Sequence, residues 1–177
     1  MSSYLDCYIE KYNPETNQWE NLSLYKKENG EYMPVDVYGA SASCCGDTLC
    51  GSSYDNHSLA ITRPRGIPED ASPEAKEAYG DGKYFYDATW YDYCELTAYQ
   101  RAIDKLAKPI LDIAKPNNND DVCDEDSEDY WNKVVCEEYE EQIKGFEGFM
   151  HCVNDVLEAY GIWYPKHGQI RIVIWIS

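Results

Sequence analysis

The last stretch of the chain constrains the fold more than any other. Gln169 to Ser177 carries Ile170, Ile172, Val173, Ile174, Trp175 and Ile176. That density of β-branched side chains favours a sheet, and the segment is too short for a stable isolated helix. Apolar residues fill adjacent as well as alternate positions, so both faces of this strand need cover and it belongs in the middle of a sheet.

A central strand needs neighbours. Tyr4 to Lys11 alternates in the manner of a strand, Asn13-Pro14-Glu15-Thr16-Asn17 supplies a turn, and Trp19 to Tyr25 extends again. The three segments predict a hairpin that pairs with the terminal strand. Tyr32 to Tyr38 reads as a further short extended segment. Gly39 to Ser53, rich in small residues and holding Cys44, Cys45 and Cys50, shows neither helical stripe nor alternation and reads as a loop or a snugly packed irregular segment. The aromatic stretch Tyr84 to Tyr93 is expected to pack on the core face of the hairpin.

Helices supply the cover. Ser72-Pro73-Glu74-Ala75 has a capping serine followed by proline in the first turn, predicting a short helix that stops near Gly80. Leu96, Tyr99, Ile103, Leu106, Ile110 and Ile113 recur at three- and four-residue steps, an amphipathic pattern that Pro109 either kinks or ends near Lys108. After the polar break Asn117 to Asp121, a stripe of Trp131, Val134, Val135, Tyr139 and Ile143 begins near Ser127. It continues through Phe149, Cys152, Val153, Val156, Leu157 and Tyr160 as one bent helix or two, ending at Gly161. The resulting expectation is a single α+β domain over residues 1–177. Its small antiparallel or mixed sheet comes from the N-terminal hairpin and the C-terminal strand, covered by two or three helices.

Charge narrows the function. Thirty-three acidic side chains against fifteen basic ones leave a net charge of -18. Such a field repels DNA, RNA and anionic membranes and attracts a basic protein surface. If that surface normally grips nucleic acid, carboxylates can sit where phosphates would. Solubility alone is the competing explanation. The charge is concentrated: Asp120, Asp121, Asp124, Glu125, Asp126, Glu128, Asp129, Glu137, Glu138, Glu140 and Glu141 face only Lys133 within their span. Acids at a helix N-terminus are favoured by its exposed amides, which covers Glu128 and Asp129. The like-charged pair Glu137 and Glu141 instead costs a few tenths of a kcal/mol. Asp124 to Asp129 with Tyr130, and Glu137, Glu138, Glu140 and Glu141, are therefore the candidate partner-binding residues, with Tyr139 and Phe146 as further aromatic anchors.

Chemistry-bearing motifs are sparse. His57, His151 and His167 are the only histidines, and Cys44, Cys45, Cys50 and His57 form no recognisable zinc spacing, although a soft-metal site or a Cys/His enzyme is a competing reading. Asp87 and Asp92 lie close in an aromatic segment without implying glycosidase geometry. There is no P-loop, dinucleotide fingerprint or metalloprotease histidine pair. A binding protein without catalytic residues, metal or cofactor is expected. Arg63 and Arg65 are expected to brace local carboxylates across a proline-rich loop, with anion binding as the competing reading. The opening residues lack a basic, apolar leader and no run is long enough to span a bilayer, so cytoplasm is the expected location and reduced thiols the expected state of the eight cysteines.

Three groups of residues carry a resemblance: Tyr4-Leu5-Asp6 with Glu10-Lys11-Tyr12-Asn13, then Pro64-Arg65-Gly66-Ile67-Pro68-Glu69-Asp70-Ala71-Ser72, and finally Ile170-Arg171-Ile172-Val173-Ile174-Trp175. Together they resemble a family of small uncharacterised proteins from phages and prophages of Gram-positive bacteria. Members often have an Asp-x-His-Ser-x-Ser-like run before a Leu-Thr segment. Here Asp87-Ala88-Thr89-Trp90 lacks the histidine while Glu95-Leu96-Thr97 remains, so no role of that histidine carries over. The segment with Cys44, Cys45 and Cys50 is a second departure. The resemblance implies a bacterial host cytoplasm and a phage protein. Small acidic phage proteins include inhibitors of restriction enzymes and CRISPR nucleases, some of them DNA mimics. The implied alternative is a structural or accessory phage protein.

Overall fold

In the computed structural model, which describes residues 5–22, 25–26, 32–33, 48–50, 61–83, 85–114 and 128–177, the terminal apolar run forms strand β6, Ile170–Ile176, buried at every position. The alternating N-terminal segment is β1, Leu5–Asn13, and turns into β2, Gln18–Asn21, with Tyr12 opposite Trp19. β1 also runs antiparallel to β6, placing Ile9 opposite Ile172 and Glu10 opposite Arg171. A two-residue strand β3, Tyr25–Lys26, pairs separately with β4, Tyr32–Met33. The second strand of the hairpin thus stops at Asn21 rather than Tyr25.

The aromatic stretch is not a cover for the hairpin but a strand of the same sheet. β5, Tyr86–Asp92, pairs antiparallel with the far side of β6, Tyr91 opposite Ile172, giving the order β2-β1-β6-β5. A register shift between Tyr86 and Thr89 coincides with Asp87 at φ +51°. Aspartate tolerates this left-handed conformation because its short polar side chain can bond locally. The bulge obscures the alternation that would mark a strand.

Both faces of β6 are covered, as its composition demands. On one, Cys7, Ile9, Tyr91, Ile170, Ile172 and Ile174 pack under the long helices. On the other, Val173, Trp175 and Ala88 meet Ile67, Tyr79, Phe85 and Tyr8. That second layer is residues 61–72 and the short helix α1, Pro73–Tyr79. Ser72 Oγ accepts from the Ala75 N–H at 3.4 Å and Pro73 sits in the first turn. Gly66 adopts φ +76°, which only glycine enters without strain, and its N–H donates to the Ala88 carbonyl at 2.8 Å. That bond occupies part of the β5 edge, an otherwise open template for strand pairing.

Helix α2, Tyr93–Ala102, begins where β5 ends, because Asp92 and Glu95 form a reciprocal capping box. A π-helical turn, Ile103–Ala107, then leads into α3, Lys108–Ala114. Pro109 explains the widened turn: it has no N–H to give, and its ring displaces the carbonyl one turn back. The Lys108 N–H instead reaches five residues back to the Ile103 carbonyl. This extra residue rotates the apolar stripe. Ile103 and Leu111 stay buried, whereas Leu106 and Ile110 are 64% exposed and Ile113 is 86% exposed, contrary to the continuous face expected from spacing.

Helix α4, Glu128–Ala159, is one unbroken element passing through Gly145 and Gly148. It runs antiparallel to α2, since the Tyr93 hydroxyl donates to Asn154 Oδ1 at 2.8 Å and Tyr99 meets Phe146 edge-on at 5.0 Å between centroids. Its end is a Schellman motif. Gly161 has φ +68°, its N–H donates to the Glu158 carbonyl and the Ile162 N–H to the Leu157 carbonyl, both at 2.8 Å. Residues 48–50 are buried, as a packed segment would be, but helical rather than irregular, and the Tyr91 hydroxyl bonds the Leu49 carbonyl. The rest of the Gly39–Ser53 segment lies outside the described residues, as do residues 34–38 and the Ser127 cap position.

Candidate functional site

The acidic candidates divide into three groups. Asp124, Glu125 and Asp126 lie outside the described residues. Glu128, Asp129 and Tyr130 occupy the first turn of α4. Glu137, Glu138 and Glu141 are exposed on its outer surface, and Glu140 is half-buried. Nine carboxylates and two lysines, Lys133 and Lys144, fall within α4, so the helix carries seven net negative charges (nine minus two). Lys133 precedes Glu137 by four residues and Lys144 follows Glu140 by four, spacings that moderate the field locally.

The proposed anchors beside that charge need correction. Phe146 is fully buried against Tyr99, and Tyr139 is half-buried on the same core. Both belong to the stripe that continues through Ile143, Met150 and Val153, which helical geometry turns toward the sheet. Among the described residues, the large aromatics that stand in solvent are Tyr160, Trp163 and Tyr164, between α4 and β6. Tyr160 is the last residue of the expected apolar stripe and proves exposed, whereas spacing offers no sign of Trp163 and Tyr164, since aromatics in a Gly/Pro-bounded turn have no periodicity to read.

Two arginines organise the opposite side of the sheet. Arg171 and Glu10, neighbours across β6 and β1, are both buried. Arg171 Nε donates to Glu10 Oε2 at 2.8 Å and Nη1 to Asp70 Oδ1 at 2.6 Å, while Nη2 reaches the Asp70 carbonyl at 3.2 Å. The other Glu10 oxygen accepts the Ser72 N–H at 2.7 Å. The guanidinium lies 4.1 Å from the Trp19 ring centroid, and Trp19 Nε1 donates to Asp70 Oδ2 at 3.0 Å. Three segments far apart in the sequence therefore meet at one ion cluster.

Arg65 makes a bidentate pair with Glu95 at 2.9 and 3.0 Å, bonds the Trp90 carbonyl at 3.1 Å and lies over the Trp90 ring. The bracing role expected of it holds, though its carboxylate comes from α2 rather than from its own loop. Arg63 is exposed. The Arg65 hydrogen bonds outweigh partial burial and hold the Glu95 carboxyl below its ordinary value of 4.5. A depressed carboxylate stabilises the fold fully above its unfolded value, and this is lost as pH falls through the folded one. Arg65→Gln is accordingly expected to flatten the acid limb of a urea-unfolding series below about pH 4.5. An unchanged limb would assign that acid sensitivity to other carboxylates.

Three of the described thiols, Cys7, Cys94 and Cys152, are shifted away from what a nucleophile needs. Burial raises the Cys7 thiol, with Cys152 and Cys50 adding to it, and burial likewise raises Cys94 and Cys152. A nucleophilic cysteine needs its thiolate favoured, the reverse shift. His151 is 3.6 Å from Asp155 and His167 is 3.8 Å from Asp92, both on exposed histidines. Asp92 is occupied as the α2 cap, whereas Asp87 sits at the β5 bulge. Among the described residues no group of three or more His, Cys, Asp or Glu side chains is placed to hold a metal ion. Cys44, Cys45 and His57 lie outside them.

The architecture is a four-stranded antiparallel sheet covered on one face by long helices and on the other by α1 and the segment before it. No protein-family model, curated protein or solved structure matches this chain. Among the described residues no helix is long and apolar enough to cross a membrane.

Proposed function

We propose that this chain is a phage-encoded acidic binding protein. It acts stoichiometrically on a host nucleic-acid-handling defence effector, a CRISPR nuclease or a restriction enzyme, by occupying its basic channel in the host cytoplasm. The supporting observation is the rigid acidic segment of α4. Glu128, Asp129, Glu137, Glu138, Glu140 and Glu141 fall within fourteen residues of one helix. At about 1.5 Å per residue they span roughly 20 Å. One strand of B-DNA carries a charge every ~3.4 Å, or about six over that length. The axial charge density thus resembles that of a single strand, less the one charge that Lys133 offsets. A helix packed into a core offers these charges without the ordering cost of a flexible tail.

The test is affinity capture from a bacterial lysate containing restriction and CRISPR effectors, repeated across a salt series. A basic nuclease that is captured, released steeply by salt and displaced by DNA supports the reading. Glu137→Gln, Glu138→Gln and Glu141→Gln together, all at exposed positions, are expected to weaken capture at least tenfold and to make the salt dependence shallower. A captured partner indifferent to these changes would remove α4 from the interface. If no basic partner is retained, the acidity serves solubility.

A further inference from the structure

The exposed aromatics between α4 and β6 sit on a firmly held turn. Trp163 is 61% exposed and Tyr164 92% exposed. Before them, the Schellman bonds end α4 and Ile162 packs against the core. After them, the Lys166 N–H donates to Gln169 Oε1 at 3.0 Å, and the Gly168 N–H donates to Asp92 Oδ2 at 2.5 Å. Cys94 Sγ also contacts the Pro165 carbonyl at 3.8 Å. Two large rings are left in water on a backbone pinned at both ends. Rigid, amphipathic rings give contact area at small conformational cost, which is why they dominate protein interfaces.

We propose that Trp163 and Tyr164 form a second contact point for the same basic partner, receiving an arginine side chain of a protein segment that also crosses the α4 carboxylates. This rests on the reading of α4 given above. Three observations select arginine. The chain itself places a guanidinium on an indole twice, Arg171 over Trp19 at 4.1 Å and Arg65 over Trp90 at 5.2 Å. Asp155 and Glu158, both exposed, precede the rings in the last turns of α4. Asp155 is also eighteen residues beyond Glu137, five helical turns, so the two share a face about 27 Å apart. Exposed rings can stack nucleic-acid bases instead, but a net charge of -18 opposes that ligand. Lys166 and His167 close the turn, so attraction at the rings comes from their faces more than from net charge, and it responds weakly to salt.

The probe is fluorescein-labelled nona-arginine, which when extended reaches about 30 Å and can cover both points. Anisotropy titrations at low and high salt would compare the wild type with Trp163→Ala/Tyr164→Ala and with Glu137→Gln/Glu138→Gln/Glu141→Gln. The ring variant is expected to bind about tenfold more weakly with an unchanged salt dependence, and the carboxylate variant to lose both affinity and salt dependence. Nona-lysine, lacking a planar cation, should bind the wild type more weakly and lose less in the ring variant. Full affinity in the ring variant alongside loss in the carboxylate variant would overturn the second contact point and leave the α4 reading standing. No binding of nona-arginine by the wild type would overturn both. Tighter binding of an oligothymidine than of nona-arginine would reassign the rings to base stacking.

Discussion

Arg171→Met is expected to lower the free energy of unfolding by about 3–5 kcal/mol, measured by urea denaturation at neutral pH. Methionine fills much of the arginine volume, so the loss comes from what remains. Glu10, with no exposed surface, would keep a charge that, among the described residues, the Ser72 N–H alone answers. Glu10→Met alone should cost a similar amount by stranding the guanidinium, which would keep Asp70 and the Trp19 ring but lose its buried partner. The double variant should be more stable than the sum of the two losses implies, because paired removal leaves no buried charge. A pH series adds a second readout. Partial burial pushes the Asp70 carboxyl up, but hydrogen bonds and attraction from Arg171, with help from Trp19, hold it below its ordinary 3.8. Its contribution is complete above that value and disappears as pH falls through the lower folded one, so Arg171→Met should remove that part of the acid limb. Stability within about 1 kcal/mol of wild type would show that the cluster is incidental to folding.

Trp175→Ala should be comparably damaging, about 3–5 kcal/mol, for an apolar reason. Its ring is 1% exposed, stacks on Tyr8 at 5.2 Å and meets Tyr79 and Phe85 at 5.4 and 5.8 Å. These contacts are the centre of the layer that α1 completes, so amide exchange in α1 should accelerate before exchange in α4. Trp175→Phe is the informative control. Trp175 Nε1 is buried and finds no acceptor among the described residues. Leaving such a donor unpaired costs roughly 1–3 kcal/mol, so removing it offsets part of the lost volume and the phenylalanine variant should sit much closer to wild type. Equal losses in the two variants would mean that the indole N–H has a partner in solution.

Sequence pattern reaches some of this molecule and not the rest, and the boundary follows interaction range. β6 is legible because its composition alone demands two covered faces. α1 is legible because Ser72 and Pro73 act within one turn. The extent of α4 follows from a stripe that tolerates Gly145 and Gly148 once the sheet supports it. β5 escapes because Asp87 breaks its alternation and its register depends on Ile172 and Ile174, about eighty residues on. Leu106, Ile110 and Ile113 mislead because spacing assumes a constant helical pitch, which Pro109 interrupts. The ion cluster is the furthest from view. Glu10 looks like a solvent-facing position of an alternating strand, and its partner Arg171 lies 161 residues away in the chain. For the candidate surface, local charge density singled out the α4 acids, and the stripe through Ile143, Met150 and Val153 already implied that Phe146 turns inward, but only packing could show that Trp163 and Tyr164 stay outside.

The pairing of β1 with β6 also has a consequence for the growing polypeptide. The hairpin leaves the ribosome well before its mate, since the strand that shields its inner edge begins at Ile170, about 150 residues after Asn21. At ~5–20 residues per second, translation leaves Ile9 and its neighbours without their mate for roughly 8–30 s. Completion of the sheet therefore waits for β6 even if the helices form earlier. Any product that terminates before Ile170 presents an unpaired apolar strand to the chaperones and proteases that survey unfinished chains.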